Sequence, residues 1–408
     1  MKILYLHQHY SGPGGATATR AHAMARALAA RGHDVTLACG RYDGAETGLD
    51  GSFRHGRREG RVAGFRVVEF DIPCGNAMRL PARAAAFLRY AARATGLALS
   101  ARPDVVLASS TPLTVALPAL AARRLRGTPF VFEIRDPWPE LPRALGGVPA
   151  PVLAGMDRLA DAACRRAAAV IGLTEGMAET AVARGTDAQR VHVVPNGCDL
   201  DLFGPHVAPW RPPEAASWEA LAVYAGAHGV ANGLAVVVEA AAILQARGEA
   251  RLRLFLVGDG GEKPRLMAEA ARRGLRNLTF LDPLPKSRLA SLLAGCQIGL
   301  HVLAPIPAFA EWTAPNKLMD ILAAGLPAVT NVPGRAARIL EGGADGPCGL
   351  AVRPGDPTAL AEALIALGTD SARRAALGAA SRTQAVRRWD RRLHADRFCG
   401  IVEAAVAG

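Results

Sequence analysis

The chain predicts an α/β protein built from two doubly wound domains in tandem. Short apolar runs alternate with stretches of helical period along its 408 residues, the pattern of parallel strands joined by crossover helices. The length exceeds one ordinary core, and with half of the residues apolar there is enough to build two. Between Gly204 and Trp218 the composition shifts to GPHVAPWRPPEAASW, with four prolines and no periodicity, which reads as a linker. The expected division is a first Rossmann-like domain at 1–204, a linker at 205–218, a second Rossmann-like domain at 219–385 and a last helix at 386–408.

The opening is one βαβ unit: a strand from Ile3 to Leu6, a glycine loop, a helix from Thr19 to Arg31 stopped by Gly32, and a strand from Val35 to Cys39. Gly12, Gly14 and Gly15 let backbone approach a ligand at the first strand's carboxyl end, or simply make a tight turn. Thr17 stands where the dinucleotide fingerprint has its last small residue, so the loop is not that fingerprint. Residues 41–64, rich in Gly and Arg, are expected to form a mobile loop. From Arg79 to Leu97 a basic amphipathic helix is expected, with Arg79, Arg83, Arg89 and Arg93 inside an arc of roughly 120°. Leu80, Ala84, Phe87 and Leu88 occupy the neighbouring arc, and the basic arc reads either as a solvated face or as a membrane-surface contact.

Buried strands follow at Asp104 to Ala108 and Pro129 to Ile134. The second runs into Arg135, Asp136, Pro137, Trp138, Pro139 and Glu140, charges crowded at a strand's carboxyl end and fixed by two prolines, which suggests a site. A helix from Met156 to Ala168 and strands at Ala169 to Leu173 and Val191 to Val194 complete this half. The second half repeats the alternation, with a strand at Ala222 to Tyr224, a turn at Gly226, Gly229 and Gly233, a helix to Ala246, and a strand at Arg253 to Val257 ending in Gly258-Asp259-Gly260-Gly261. Strands at Leu278 to Leu281 and Ile298 to Val302 flank another helix. Then comes TAPNKLMDILAAGLPAV, a turn at Ala314, Pro315 and Asn316, a helix from Lys317 to Ala324, a stop at Gly325 and a strand entered through Pro327. Lys317 and Asp320 share one face of that helix near its N-terminus, where backbone N–H groups favour an anion.

Composition narrows the partners. The balance of 48 basic to 36 acidic residues gives +12, a charge that attracts phosphorylated substrates, anionic lipid or nucleic acid. Aromatics are 5% with no aromatic-basic interleaving, which argues against nucleic acid. Seven scattered cysteines with no metal-ligand spacing predict a reducing, cytoplasmic setting and no structural metal. The apolar run after Met1 is too short for a signal peptide, and no stretch is long enough to span a membrane.

TAPNKLMDILAAGLPAV, EIRDPWPE, PNGCDLDLF and LVGDGGEK together resemble the sugar-nucleotide-dependent glycosyltransferases of family 4, closest to the bacterial surface-polysaccharide branch. The motifs run in order along nearly the whole chain. The resemblance implies the GT-B architecture, two such domains facing across a cleft, with the acceptor held by the first and the nucleotide sugar by the second. It implies retention of configuration and no required metal or other cofactor. By position, Asp320 stands where the family's second acidic residue binds the ribose hydroxyls, suited to accept two O–H bonds, while the first acidic position falls on Trp312, with Glu311 one residue off. Gly14 and Gly15 match the loop facing the diphosphate, and Gly226, Gly258 and Gly260 the turns lining the nucleotide pocket. Asp282, Pro283 and Leu284 would meet the base, and Pro315, Asn316 and Leu318 complete the donor loop. Arg135 and Asp136 stand where many relatives carry a catalytic His-containing site.

Relatives commonly place an Arg and a Lys five residues apart after the second domain's first strand. Here Ala227 and Asn232 stand there, so Lys317 is expected to supply the diphosphate charge, with Arg135 or His228 as substitutes. The implied partners are a nucleotide sugar, with uridine and guanosine both open, and a polyprenyl-diphosphate-linked or saccharide acceptor, with peripheral binding to the inner face of the plasma membrane. Two other classes stay open: a nucleotide-sugar 2-epimerase of the same shape and a non-catalytic sugar-nucleotide-binding partner.

Overall fold

The structure is a computed structural model that describes residues 1–14, 20–75 and 78–407. The chain divides into two compact units, Met1–Pro195 with Arg392–Gly408, and Asn196–Arg391.

In unit 1 the strands are β1 (Lys2–Leu6), β2 (Asp34–Tyr42), β3 (Arg57–Val62), β4 (Phe65–Cys74), β5 (Val105–Ser109), β6 (Phe130–Ile134), β7 (Ala169–Gly172) and β8 (Val191–Val193). The helices between them are α1 (Arg20–Ala30), α2 (Leu80–Ala101), α3 (Ala116–Arg126), α4 (Glu140–Leu145), α5 (Ala150–Arg166) and α6 (Glu175–Ala183). The sheet order is β3-β4-β2-β1-β5-β6-β7-β8, parallel except for the β3–β4 pair. Strands β5 and β6 are buried along their whole length, as a sheet covered on both faces requires.

The 41–64 stretch departs from the expected mobile loop. Strand β2 runs on to Tyr42, and β3 pairs with β4 in a hairpin closed by Ala63 and Gly64 at φ 48° and 93°. Positive φ at both turn residues is the twist-matched hairpin geometry. β3, RREGRV, has no apolar face and alternates exposed with half-buried positions, as a charged edge strand does.

In unit 2 the strands are β9 (Ala220–Ala225), β10 (Leu252–Val257), β11 (Leu278–Leu281), β12 (Ile298–His301), β13 (Ala328–Thr330) and β14 (Gly349–Ala351). All are parallel, in the order β11-β10-β9-β12-β13-β14. Its helices are α7 (Ala235–Ala246), α8 (Lys263–Arg272), α9 (Lys286–Gly295), α10 (Phe309–Trp312), α11 (Asn316–Ala323), α12 (Arg335–Glu341), α13 (Pro357–Thr369) and α14 (Ser371–Arg388). Helix α11 ends as the sequence predicts: Gly325 takes φ +74°, its N–H reaches Leu322 O, and the Leu326 N–H reaches Ile321 O. That double bond pattern satisfies the last carbonyls, and Leu326 packs with Ile321 in the same core.

The units divide earlier than composition suggests. Cys198, Leu200 and Phe203 lie in the unit 2 core with Leu221 and Leu318, so the chain leaves unit 1 at Pro195. The 205–218 segment is irregular but bonded to unit 2, with the Trp210 N–H on Ser291 O at 2.8 Å and Arg288 stacked 3.7 Å over the Trp210 ring. The last helix, α15 (Arg391–Ala407), belongs to unit 1 from Arg392 onward. Its Ala395, Phe398, Cys399 and Val402 share a core with Ile3 and Tyr5, and the Tyr5 and Phe398 rings stack at 6.3 Å.

Candidate functional site

In unit 2 the strand ends of β9, β10 and β12 bring together most of the residues singled out there. Lys317, in the first turn of α11, lays its side chain across Gly226 at the end of β9. Its Nζ donates to the Tyr224 hydroxyl at 2.5 Å and sits 4.4 Å from that ring's centroid. A Cβ on Gly226 would occupy the space of Lys317 Cε, so glycine is required by this close approach. Burial pulls the Lys317 ammonium down to about 8, because a charge in low dielectric is disfavoured without a counter-ion. His301, ending β12, is buried with Nδ1 2.9 Å from Thr330 Oγ1, and burial and then Lys317 lower it to about 3.

Asp320, three residues on from Lys317, is half-buried, and no described residue hydrogen-bonds its carboxylate. Burial raises its pKa, with Lys286 and Arg391 pulling the other way. An acceptor-only group taken partly out of water and left unsatisfied is costly. The N-terminus of α11 adds free backbone N–H groups, Pro315 lies buried at its cap, Asn316 is exposed beside it, and Leu318 is core.

Gly258 and Gly260 are required by the packing of their own loop against the turn after β9. Their Cβ atoms would strike the Gly226 carbonyl and the His228 backbone. The two loops are zipped together, with the His228 N–H on Asp259 O at 2.8 Å and the Glu262 N–H on His228 O at 2.9 Å. The His228 imidazole itself is fully buried, 6.1 Å from the Tyr224 ring, and neither ring nitrogen has a partner among the described residues. Burial, then Lys263, lowers its pKa and keeps it neutral. Lys263, buried at the start of α8, gathers Gly258 O (2.9 Å), Leu281 O (3.3 Å) and Asp282 Oδ1 (2.7 Å). Its hydrogen bond holds the Asp282 carboxyl below the usual range. Pro283 is exposed and Leu284 half-buried in the same loop. At the position one short of Trp312, Glu311 is gripped by Arg338 through both oxygens, at 2.9 and 2.6 Å.

Unit 1 gathers its polar groups at the carboxyl ends of β1, β5 and β6. Arg135 Nη1 donates to His7 Nε2 at 2.7 Å, and since arginine only donates, the His7 proton is on Nδ1, which faces Ser109 O at 3.3 Å. Burial and then Arg135 lower the His7 pKa, so the ring is neutral. Asp136 diverges from Arg135 and accepts the Thr111 hydroxyl at 2.6 Å, beside a small hollow lined by Ser110, Phe132, Ile134 and Trp138. Glu140 is spent on structure: Arg184 holds it together with Asp157 and Asp161. Under this surface lies a buried pair, Arg20 Nε to Glu133 Oε1 at 2.9 Å, completed by Ser109 Oγ on Glu133 Oε2 at 2.5 Å and Arg20 Nη1 on Pro195 O at 2.6 Å. Gly14 is exposed, and a Cβ on it would meet the Glu46 carboxylate; Gly15 lies outside the described residues.

Sequence reasoning missed Tyr224, Lys263, His301, His7 and the Arg20–Glu133 pair. Lys263 closes LVGDGGEK and was within reach; Tyr224 and His301 stand at strand ends, which is the one signal available for them.

Two parallel α/β units, each with its polar groups at the carboxyl ends of its strands, define a protein of the GT-B class. Residues 15–197 match the model described as glycosyl transferase 4-like domain, and residues 219–370 the model described as glycosyl transferases group 1. The chain belongs to the family-4 type of glycosyltransferases. It is 31% identical over 160 residues to WcaI of Escherichia coli strain K12, named for colanic acid biosynthesis, across 38% of each chain. To the D-inositol 3-phosphate glycosyltransferase of Stackebrandtia nassauensis it is 31% identical over 212 residues, 49% of this chain and 46% of that one. It thus spans less than half the length of either curated relative. The crystal structure of Anabaena HepE in complex with UDP-glucose superposes with a TM-score of 0.68 at 19% identity, over 99% of this chain and all of that one, a likeness of fold.

Proposed function

We propose that the protein transfers a sugar from a nucleotide-sugar donor to a saccharide or lipid-linked acceptor, with retention of configuration, in bacterial surface-polysaccharide synthesis. The observation that carries the reading is the pair on α11: an ammonium held beside Tyr224 and, three residues on, a carboxylate, the first without a counter-ion and the second without a hydrogen bond among the described residues. A nucleoside diphosphate supplies both missing partners, its phosphates to Lys317 and its ribose hydroxyls to Asp320. The base then falls to the 282–284 loop, which Lys263 fixes. The UDP-glucose bound by HepE and the name of the E. coli relative support a uridine donor and a polysaccharide product.

In the reaction the bond from the anomeric carbon to the diphosphate oxygen breaks. The acceptor hydroxyl bonds to that carbon on the same face, and its proton goes to the leaving diphosphate. The protein's part is to position the reactants and stabilise the departing charge. Incubation with a panel of nucleotide sugars tests this: free nucleotide should appear only when acceptor is added. A changed sugar without nucleotide release would make the protein an epimerase, and saturable binding without turnover a non-catalytic partner.

The peripheral membrane role in this reading rests on the exposed side chains of α2, two of the four arginines of the basic arc among them. Leu80 and Leu88 are 55% and 57% exposed, Arg89 and Arg93 are exposed beside them, and Arg83 turns inward. Among the described residues no helix is long and apolar enough to cross a membrane. Replacing Leu80 and Leu88 by Ser and Arg89 and Arg93 by Gln should abolish flotation with anionic liposomes; unchanged flotation would remove the membrane from the reading.

A further inference from the structure

The chain has four lysines, Lys2, Lys263, Lys286 and Lys317, and the two beside the glycine turns of unit 2 are held in opposite ways. Lys263 Nζ donates to three oxygens, those of Gly258, Leu281 and the Asp282 carboxylate. All three donors of an ammonium are used there, and the nitrogen is tied into the wall. Lys317 Nζ has one hydrogen-bond partner among the described residues, the Tyr224 hydroxyl. That hydroxyl gives its own hydrogen to Ala227 O at 2.9 Å, so it accepts from the lysine and has nothing to donate to it. A neutral amine in this position keeps one N–H on Tyr224 and leaves its lone pair unbonded. The stem is fixed as well, since Lys317 Cε fills the space that a side chain on Gly226 would need. Burial, by pulling the ammonium down to about 8, leaves about one Lys317 in five neutral at pH 7.4, against about one in a thousand for a lysine at its ordinary value.

A desolvated lysine whose lone pair is unbonded is a nucleophile. We propose that Lys317 is a modification site for acyl phosphates, and that its acylation switches off donor binding. The second half rests on the transferase reading, because the phosphate of such a reagent is the group that the donor brings to the same lysine. In the step, the Lys317 lone pair bonds to the carbonyl carbon and the bond from that carbon to the phosphate oxygen breaks. The departing phosphate takes the proton released from nitrogen, so an amide and hydrogenphosphate result and no oxidant or reductant is needed. The amide has no charge and one N–H in place of three, so a diphosphate finds no cation there. A bound diphosphate acts the other way: it favours the ammonium and covers the nitrogen. Donor and acyl group therefore exclude each other.

The full chain is incubated with acetyl phosphate at pH 7.4, and acetylation at each lysine is followed by peptide mass spectrometry. Lys317 should react about tenfold faster than exposed Lys2 or half-buried Lys286, the rest of its excess of neutral amine being lost to restricted approach. UDP at ten times its dissociation constant should slow the Lys317 reaction about tenfold and leave Lys2 unchanged. Equal rates at Lys2, Lys286 and Lys317 would overturn the modification site. In calorimetry, acetylated protein should bind UDP roughly tenfold more weakly, while treated and untreated Lys317→Arg bind it alike. The same loss in treated Lys317→Arg would place the effect on another lysine and overturn the switch. Fast acetylation of Lys317 that UDP does not slow and that leaves UDP affinity intact would also overturn the switch, and with it the assignment of the diphosphate to Lys317. The acetylation rates need no turnover, so failure of the modification and failure of the transferase reading give separate results.

Discussion

The two units share a plan and treat their buried charges in opposite ways. Beneath the strand ends of unit 1, Arg20 and Glu133 are fully buried and bonded to each other, to Ser109 and to the Pro195 carbonyl, and Arg184 gathers three carboxylates. In unit 2, Lys317 leans on a neutral hydroxyl and Asp320 has no hydrogen bond among the described residues, and both are shifted toward their uncharged forms by burial. A satisfied charge fixes the scaffold. An unsatisfied one is kept at a cost, and a ligand is the natural source of the missing partner.

The comparison breaks most visibly at Arg20. Arg20→Met leaves Glu133 buried without its counter-charge, which should cost about 3–5 kcal/mol, read as a large drop in the urea midpoint; a near-neutral result would mean the pair is no scaffold. Asp320→Ala should do the reverse, leaving the urea midpoint unchanged while UDP affinity in calorimetry falls by roughly one to two orders of magnitude, about 1.5–3 kcal/mol for hydrogen bonds to a charged group. Unaltered UDP binding would end the ribose assignment. Lys317→Ala should weaken UDP roughly tenfold while uridine binds as before, and Lys317→Arg should restore much of the loss. Equal losses for nucleotide and nucleoside would make Lys317 structural.

Protons sharpen the same contrast. The bound diphosphate needs the ammonium form, so UDP affinity should decline as pH rises through about 8, the Lys317 value, and Lys317→Arg should flatten that decline. Folding stability responds at the acid end. His9 and His301 are held neutral, with values near 4 and 3, whereas in the unfolded chain they protonate below the ordinary 6.5. Their contribution is complete above about 6.5 and is lost as pH falls toward those lower values. Unfolding midpoints that stay level between pH 7 and pH 4 would contradict the neutral assignment.

What the sequence disclosed depended on how far each interaction reaches along the chain. Helix α11 was legible because its start, its stop at Gly325 and its apolar face lie within a dozen residues. The β3–β4 hairpin was not, because RREGRV carries no apolar alternation and its turn is Ala63-Gly64 rather than the Asn-Gly pair that marks such turns. Lys317 and Asp320 could be placed on one helical face from spacing alone. The pairing of Glu133 could not be recognised, since it sits near the end of the apolar run FVFEI and its partner Arg20 is 113 positions away. The inward turn of Arg83 follows from which side of α2 packs on the sheet, which the apolar arc of Leu80, Ala84, Phe87 and Leu88 misplaced: of those four only Phe87 is buried.

Phe398 and its neighbours on α15 also bear on how the protein is made. A ribosome that has released the first 195 residues has produced every strand of unit 1, yet the apolar face formed by Ile3 and Tyr5 still lacks Ala395, Phe398 and Val402. Those residues emerge only after all of unit 2, some 200 positions later. Domains usually fold in order as they are synthesised, but here the first begun is the last finished. The nascent protein carries an uncovered greasy surface through half of its translation, and unit 2 closes its own core while that surface waits.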